Sequence, residues 1–253
     1  MKKTLYISAL LAASLIQSSC DVGDGNAFGT GADNPDATGV PAIENFRVDI
    51  STSFQIEVFN PDDYSYDSSK TATLVAFAYD RNGAPVENTS VTFATEWGTF
   101  PSGTICTTDS TGSCSVDWAI GDPSAPPSDY CSRVVAYTTG EESFFDSDGD
   151  NAFDDDDVVS ALPPARYTSG FIDLPDPYFD TNRDGNYTFN TDIPVGGFGT
   201  HTVADGDYNG SATCSTTNFC STTETITIWD GNYIDLKDET TKTVPDATNT
   251  CVP

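Results

Sequence analysis

Residues 71–95 read TATLVAFAYDRNGAPVENTSVTFAT, and this stretch decides the fold class. From Thr71 to Asp80 apolar side chains occupy both alternating sets, which is the pattern of a central strand covered on two faces. Arg81-Asn82-Gly83 then supplies a turn, and Ser90–Thr95 resumes with Val91 and Phe93 on one side. Upstream, Phe46, Val48 and Ile50 alternate with polar residues, as do Phe54, Ile56 and Val58. Downstream come Thr104–Thr108, a turn at Asp109–Gly112, Ser113–Ile120 with Val116 and Trp118 on one face, and Arg133–Thr138. Short strands at roughly ten-residue spacing, with no capped helical periodicity after the first twenty residues, predict an all-β sandwich.

The same residues carry a resemblance. A strand leads through Asp80, Asn82, Gly83, Pro85 and Val86 to Val91 and Phe93, then through Thr108, Asp109 and Gly112 to Ala136. This order resembles the bacterial immunoglobulin-like domain of invasin- and intimin-type surface proteins, over roughly residues 50–140. The resemblance implies an immunoglobulin-like β-sandwich and an adhesive or structural role at a cell surface. It departs from the family after Gly140, where an Asp-rich segment replaces the closing strand. Thr223–Ile228, with Ile226 and Ile228 on one side, is the candidate for that strand after an insertion, or else for an added edge strand. The expected fold is therefore an immunoglobulin-like sandwich with an Asp/Asn/Gly-rich loop insertion or extension.

Between Glu141 and Tyr208 the chain repeats F-D-x-[D/N]-x-D-[N/G]-x-[F/Y], once from Phe145 to Phe153 and again from Phe179 to Tyr187. Oxygen-bearing side chains at positions 1, 3 and 5, with Gly or Asn at 6, open an EF-hand-type calcium loop. The first copy offers Asp146, Asp148 and Asp150, with Asp154 at position 9 and Asp157 at position 12. The second offers Asp180, Asn182 and Asp184, but Thr191 at position 12, the nearest carboxylate being Asp192. Converging carboxylates repel unless a cation sits among them, and calcium accepts six to eight oxygens. Neither copy has flanking helices, so the expectation is isolated calcium loops similar to those of dockerin or thrombospondin repeats. A solvated acidic loop without an ion is the competing reading. Asp205 and Asp207 could assist either loop. Phe145, Phe153, Phe179 and Tyr187 are expected to pack the loops onto the sandwich.

The chain has 10 Lys+Arg against 39 Asp+Glu, a formal net charge of −29. Such a surface repels nucleic acid and anionic headgroups and favours cations. The first twenty residues, MKKTLYISALLAASLIQSSC, run from two lysines through an apolar stretch of about twelve residues to small residues and Cys20. That is the order of a secretory signal, too short to span a bilayer comfortably. Ser18-Ser19-Cys20 resembles a bacterial lipobox, with Gln17 where the family usually has Leu. An acylated Cys20 after a cleaved signal at residues 1–19 is expected, against an ordinary signal peptide with a chance cysteine. Multiple acyl chains hold stably to a membrane, so a lipid-anchored envelope location follows, outer membrane or cell surface in preference to the inner membrane. Asp21 leaves the choice of membrane open.

Seven cysteines leave six once Cys20 is set aside: Cys106, Cys114, Cys131, Cys214, Cys220 and Cys251. In an exported chain an even set reads as three disulfides, whereas a zinc site would need paired CxxC spacings that do not occur. Fifteen connectivities are possible. Proximity in sequence favours Cys106–Cys114 across a hairpin, Cys214–Cys220 as a short loop, and then Cys131–Cys251. The organisation expected is a signal at 1–19, a flexible tether at 20–43, the sandwich at 44–140, the acidic segment at 141–213, and a C-terminal strand region with a disulfide-bonded tail at 214–253.

For catalysis the sequence offers little. His201 is the only histidine and lies in a Gly-rich loop without a nucleophile elbow, so no enzymatic role is expected. Trp97, Trp118 and Trp229 could form a sugar-stacking face or lie in the core. The reading adopted is a non-enzymatic, calcium-stabilised envelope protein whose partners are the membrane and a surface protein or glycan, not nucleic acid. The alternative is a carbohydrate-binding module or accessory subunit of a secreted hydrolase.

Overall fold

The computed structural model describes residues 38–237, apart from 52–54, 61–64, 67–68, 123–124, 126, 128, 159–166, 168, 183 and 197–203, together with residue 251. The signal segment at 1–19, Cys20, most of the tether and His201 lie outside the described residues. Among the described residues no helix is long and apolar enough to cross a membrane.

Two sheets face each other. The smaller contains β1 (Phe46–Ile50), β4 (Thr71–Ala78) and β7 (Ser113–Ala119) in the order β1-β4-β7, all antiparallel. The larger has six strands in the order β3-β2-β13-β8-β5-β6. Its members are β2 (Gln55–Asn60), β3 (Ser65–Tyr66), β5 (Ser90–Thr95), β6 (Ile105–Thr107), β8 (Cys131–Gly140) and β13 (Ile226–Lys237). Neither sheet closes into a barrel. The chain passes from β4 to β5 and from β6 to β7 by changing sheets, as in a β-sandwich.

Alternation explains the core. On β1 every second residue is buried, and on β4 Ala72, Leu74, Ala76 and Ala78 point inward while the other set is half-buried. Facing them from the larger sheet are Val91, Phe93, Val134, Ala136, Ile228, Ile234 and Leu236. Trp118 is fully buried, with its ring 5.9 Å from that of Trp97, and its Nε1 donates to Thr95 Oγ1 and the Trp97 carbonyl. Gly98, at φ +109°, makes room for it: a Cβ there would clash with the Trp118 indole.

Both turns that the sequence marks are sheet crossings, the second of them where a hairpin was expected between Cys106 and Cys114. Asp80 accepts from the backbone N–H of Asn82 and Ala84 and so shapes the turn leaving β4. Asp109 accepts from Thr111 and Ser113 in the turn between β6 and β7. Turn chemistry fixes the bend and not the partner, so Cys106–Cys114 joins two sheets instead of two hairpin strands. The other pairs are Cys131–Cys251 and Cys214–Cys220.

β13 is the closing strand. It runs antiparallel to β8 over ten paired residues, from Ile226 opposite Gly140 to Asp235 opposite Cys131, and parallel to β2 on its other side. Asp230 accepts from Val48 N–H, and Asn232 donates to the Val48 carbonyl, so side chains from β13 satisfy the edge of β1. Residues 141–225 are thus an insertion between two adjacent paired strands. At the other end of the chain, Thr38–Ile43, at the close of the expected tether, is docked rather than loose. Thr38 N–H donates to Asp80, and the Ala42 and Ile43 N–H groups donate to the Tyr79 and Glu141 carbonyls.

Candidate functional site

The insertion has its own small core of Phe153, Phe171, Tyr208 and Ala212. Phe153 lies in β9 (Ala152–Phe153), which pairs in parallel with β12 (Thr213–Cys214). The expectation that Phe153 packs on the sandwich is corrected: it packs against Phe171 and Tyr208 inside the insertion. Phe144, not the 39% exposed Phe145, joins that cluster. Phe179, in β10 (Tyr178–Phe179), does pack on the sandwich, meeting Val135 and Val195 on the outer face of the larger sheet. β10 pairs with β11 (Ile193–Pro194), and Tyr187 stands edge-on to Tyr178.

The two acidic repeats fold alike. In loop 1, Asp146 accepts from the N–H of Gly149, Asp150 and Asn151, and Asn151 sits at φ +62°. In loop 2, Asp180 accepts from the N–H of Gly185, at φ +75°. Asp148 and Asn182 each accept from the residue two on, at 3.2 Å, and Asp150 and Asp184 do the same at 2.8 Å. The last carboxylates also correspond. Asp157 accepts from Ser147 and Asp154 N–H, while Asp192 accepts from Thr181 and Thr188 N–H. Loop 2 is therefore one residue longer, and Asp192 takes the place that a fixed twelve-residue spacing gives to Thr191.

Asp146, Asp148 and Asp157 each bring an oxygen within 4.8 Å of the other two. Asp150 and Asp154 fall outside that group; their Oδ1 atoms accept from Ala152 and Asp156 N–H. Among the described residues, Asp180, Asp184 and Asp192 are not drawn to such spacing. The Asp148 carboxyl is held above its usual range by local desolvation and by the charges of Asp150, Asp154 and Asp157. A cation would relieve that repulsion, and the hard oxygens with flexible geometry suit calcium.

Glu141 and Glu142 are buried and serve structure. Glu141 accepts from Ser211 N–H and Oγ, and the Arg81 guanidinium lies 3.8 Å away. Glu142 accepts from Leu174 and Asn209 N–H. Burial pushes its pKa from the ordinary 4.5 up to about 8, against the two N–H donors and with help from Asp173 and Asp205. Because the folded pKa is raised, the stability contributed by Glu142 is complete below about 4.5 and is lost as pH rises through about 8. Comparing the wild-type chain with Glu142→Gln across that window should give a difference in unfolding free energy that changes with pH. A pH-independent difference contradicts the assignment.

Of the tryptophans, Trp97 and Trp118 are buried, and Trp229 is half-buried on the outer face of β13. Arg133 fixes loop 2 to that face. Its Nε donates to the Asp180 carbonyl and its Nη2 to the Thr181 carbonyl and Asp129, while Nη1 pairs with Glu96 at 2.6 Å. Burial opposes this cation, but Glu96 and Asp129 more than offset it and raise its pKa. The sequence held no sign of this role, since Arg133 reads there only as one polar residue of a strand.

No family model, curated protein or solved structure matches the chain.

Proposed function

We propose that this chain is a lipid-anchored, non-enzymatic protein of the cell envelope, whose immunoglobulin-like sandwich carries a calcium-stabilised insertion and acts in adhesion or as a surface structural component. The observation that carries the reading is the shared hydrogen-bond scheme of loops 1 and 2, which sets carboxylates in corresponding places twice within one insertion. Position supports the surface role. The insertion starts beside the β4–β5 turn, through Arg81 and Glu141, and the corresponding end of antibody variable domains carries their binding loops. The cysteines support the anchor, since three disulfides use the other six and leave Cys20 over.

Thermal unfolding of the mature chain tests the ion. Calcium at a hundredfold excess over its Kd contributes about 2.7 kcal/mol, so the midpoint should rise by roughly 5–10 °C over that in EDTA. Asp157→Asn should shrink the rise. An unchanged midpoint in the wild-type chain sinks the calcium reading. For the anchor, the intact mass of the envelope-extracted protein should include acyl chains on Cys20, and a mature chain without them sinks that part.

A further inference from the structure

A cleft of about 200 Å³ lies between loop 2 and the outer face of β8 and β13. It crosses two cross-strand pairs, Gly231 opposite Val135 and Tyr233 opposite Arg133, with Trp229 beside them. Trp229, Gly231 and Tyr233 supply one wall, and Tyr178, Asp180 and Gly185 supply the other. The walls are held in place. Trp229 Nε1 donates to the Pro175 carbonyl, its ring stands edge-on to Tyr178 at 5.1 Å, and Tyr178 stands edge-on to Tyr187. Gly231 keeps the space open. A Cβ there would make only ordinary contacts, 3.5 Å from the Val134 carbonyl and 4.0 Å from the Trp229 ring, so a side chain would occupy the cleft without a clash.

Chemistry narrows the occupant. Arg133 is the cationic group in the lining, and its guanidinium nitrogens are all engaged with Glu96, Asp129 and two carbonyls. The Asp180 carboxylate stands in the same lining. An anionic ligand therefore finds no unengaged cation among the lining residues. The volume is below the ~300–1,000 Å³ of drug-sized pockets and suits one six-membered ring. Aromatic walls with hydroxyl and carboxylate groups at their margins match a ring that is apolar on its faces and rimmed by hydroxyls. We propose that this cleft binds one neutral sugar ring of a glycan, packed against Trp229 between β13 and loop 2. The proposal rests on the calcium reading in one respect, because Asp180 and Gly185 belong to both the cleft wall and loop 2.

The test titrates the full mature chain, in calcium, with the methyl glycosides of glucose, galactose, mannose and N-acetylglucosamine. At least one should bind saturably, and Gly231→Val and Trp229→Leu should each raise its Kd about tenfold or more. In the wild-type chain the same sugar should shift the NMR signals of the Trp229 indole N–H and the Gly231 amide, a readout that holds if either variant fails to fold. The proposal is overturned if no glycoside binds, if folded variants bind as tightly as wild type, if the shifts fall elsewhere, or if tetramethylammonium binds where the sugars do not. The calcium-dependent midpoint is measured on the same samples, so failure of the ion reading is told apart from failure of the sugar reading.

Discussion

Arg133→Met should lower the unfolding free energy by about 3 kcal/mol or more, the range found when one partner of a buried ion pair is removed. Methionine fills much of the volume but leaves Glu96, Asp129 and the Asp180 and Thr181 carbonyls without their donor. The Arg133 side chain is 5% exposed, against 19% for Glu96 and 30% for Asp129, so the two carboxylates can recover some hydration and the cost lies toward the lower end of that range. Arg133→Lys should rescue little, because an ammonium cannot reproduce a planar fork that serves five acceptors, the Cys131 carbonyl included. Under the calcium reading proposed above, the substitution should also weaken ion binding at loop 2, since both carbonyls held by Arg133 belong to its first residues. Urea denaturation with and without calcium measures both effects. A loss below about 1 kcal/mol would place Arg133 among ordinary surface ion pairs.

Trp118→Ala should cost about 3–5 kcal/mol, the range for truncating a large aromatic residue in a packed core. Trp118 is 0% exposed, and its loss opens a void between the sheets. It also removes a donor from the Trp97 carbonyl and from Thr95 Oγ1. Trp118→Phe should cost less, as it keeps most of the ring volume and loses only the donor. The measurement is again a urea midpoint, and a loss under about 2 kcal/mol for the alanine variant would mean that the core collapses around the gap.

Legibility differed between sandwich and insertion for a physical reason. Alternation on β1 and β4 is written residue by residue, because a half-buried strand must place its apolar side chains every second position. Asp80 and Asp109 announce bends equally well, yet no local signal says that the chain leaves one sheet for the other there. In the insertion, the repeat located both loops, and of the candidates it offered the structure draws together Asp146, Asp148 and Asp157. It misplaced the end of loop 2, because a fixed spacing selects Thr191 although the structure brings in Asp192. The pairing of β9 with β12 joins residues some sixty apart, and Arg133 acts through carbonyls 47 and 48 residues away. Such contacts depend on how the insertion folds back, and no periodicity records that.

The β8–β13 ladder sets Gly140 directly opposite Ile226. A connection that leaves and returns at adjacent rungs adds little closure entropy however long it grows, because that cost rises only as the logarithm of length. The sandwich therefore works as a socket with two fixed contacts, and the acidic segment as a cartridge seated in it. Related chains could carry cartridges of other lengths and chemistries on an unaltered frame, and this junction is where a foreign binding segment could be spliced in.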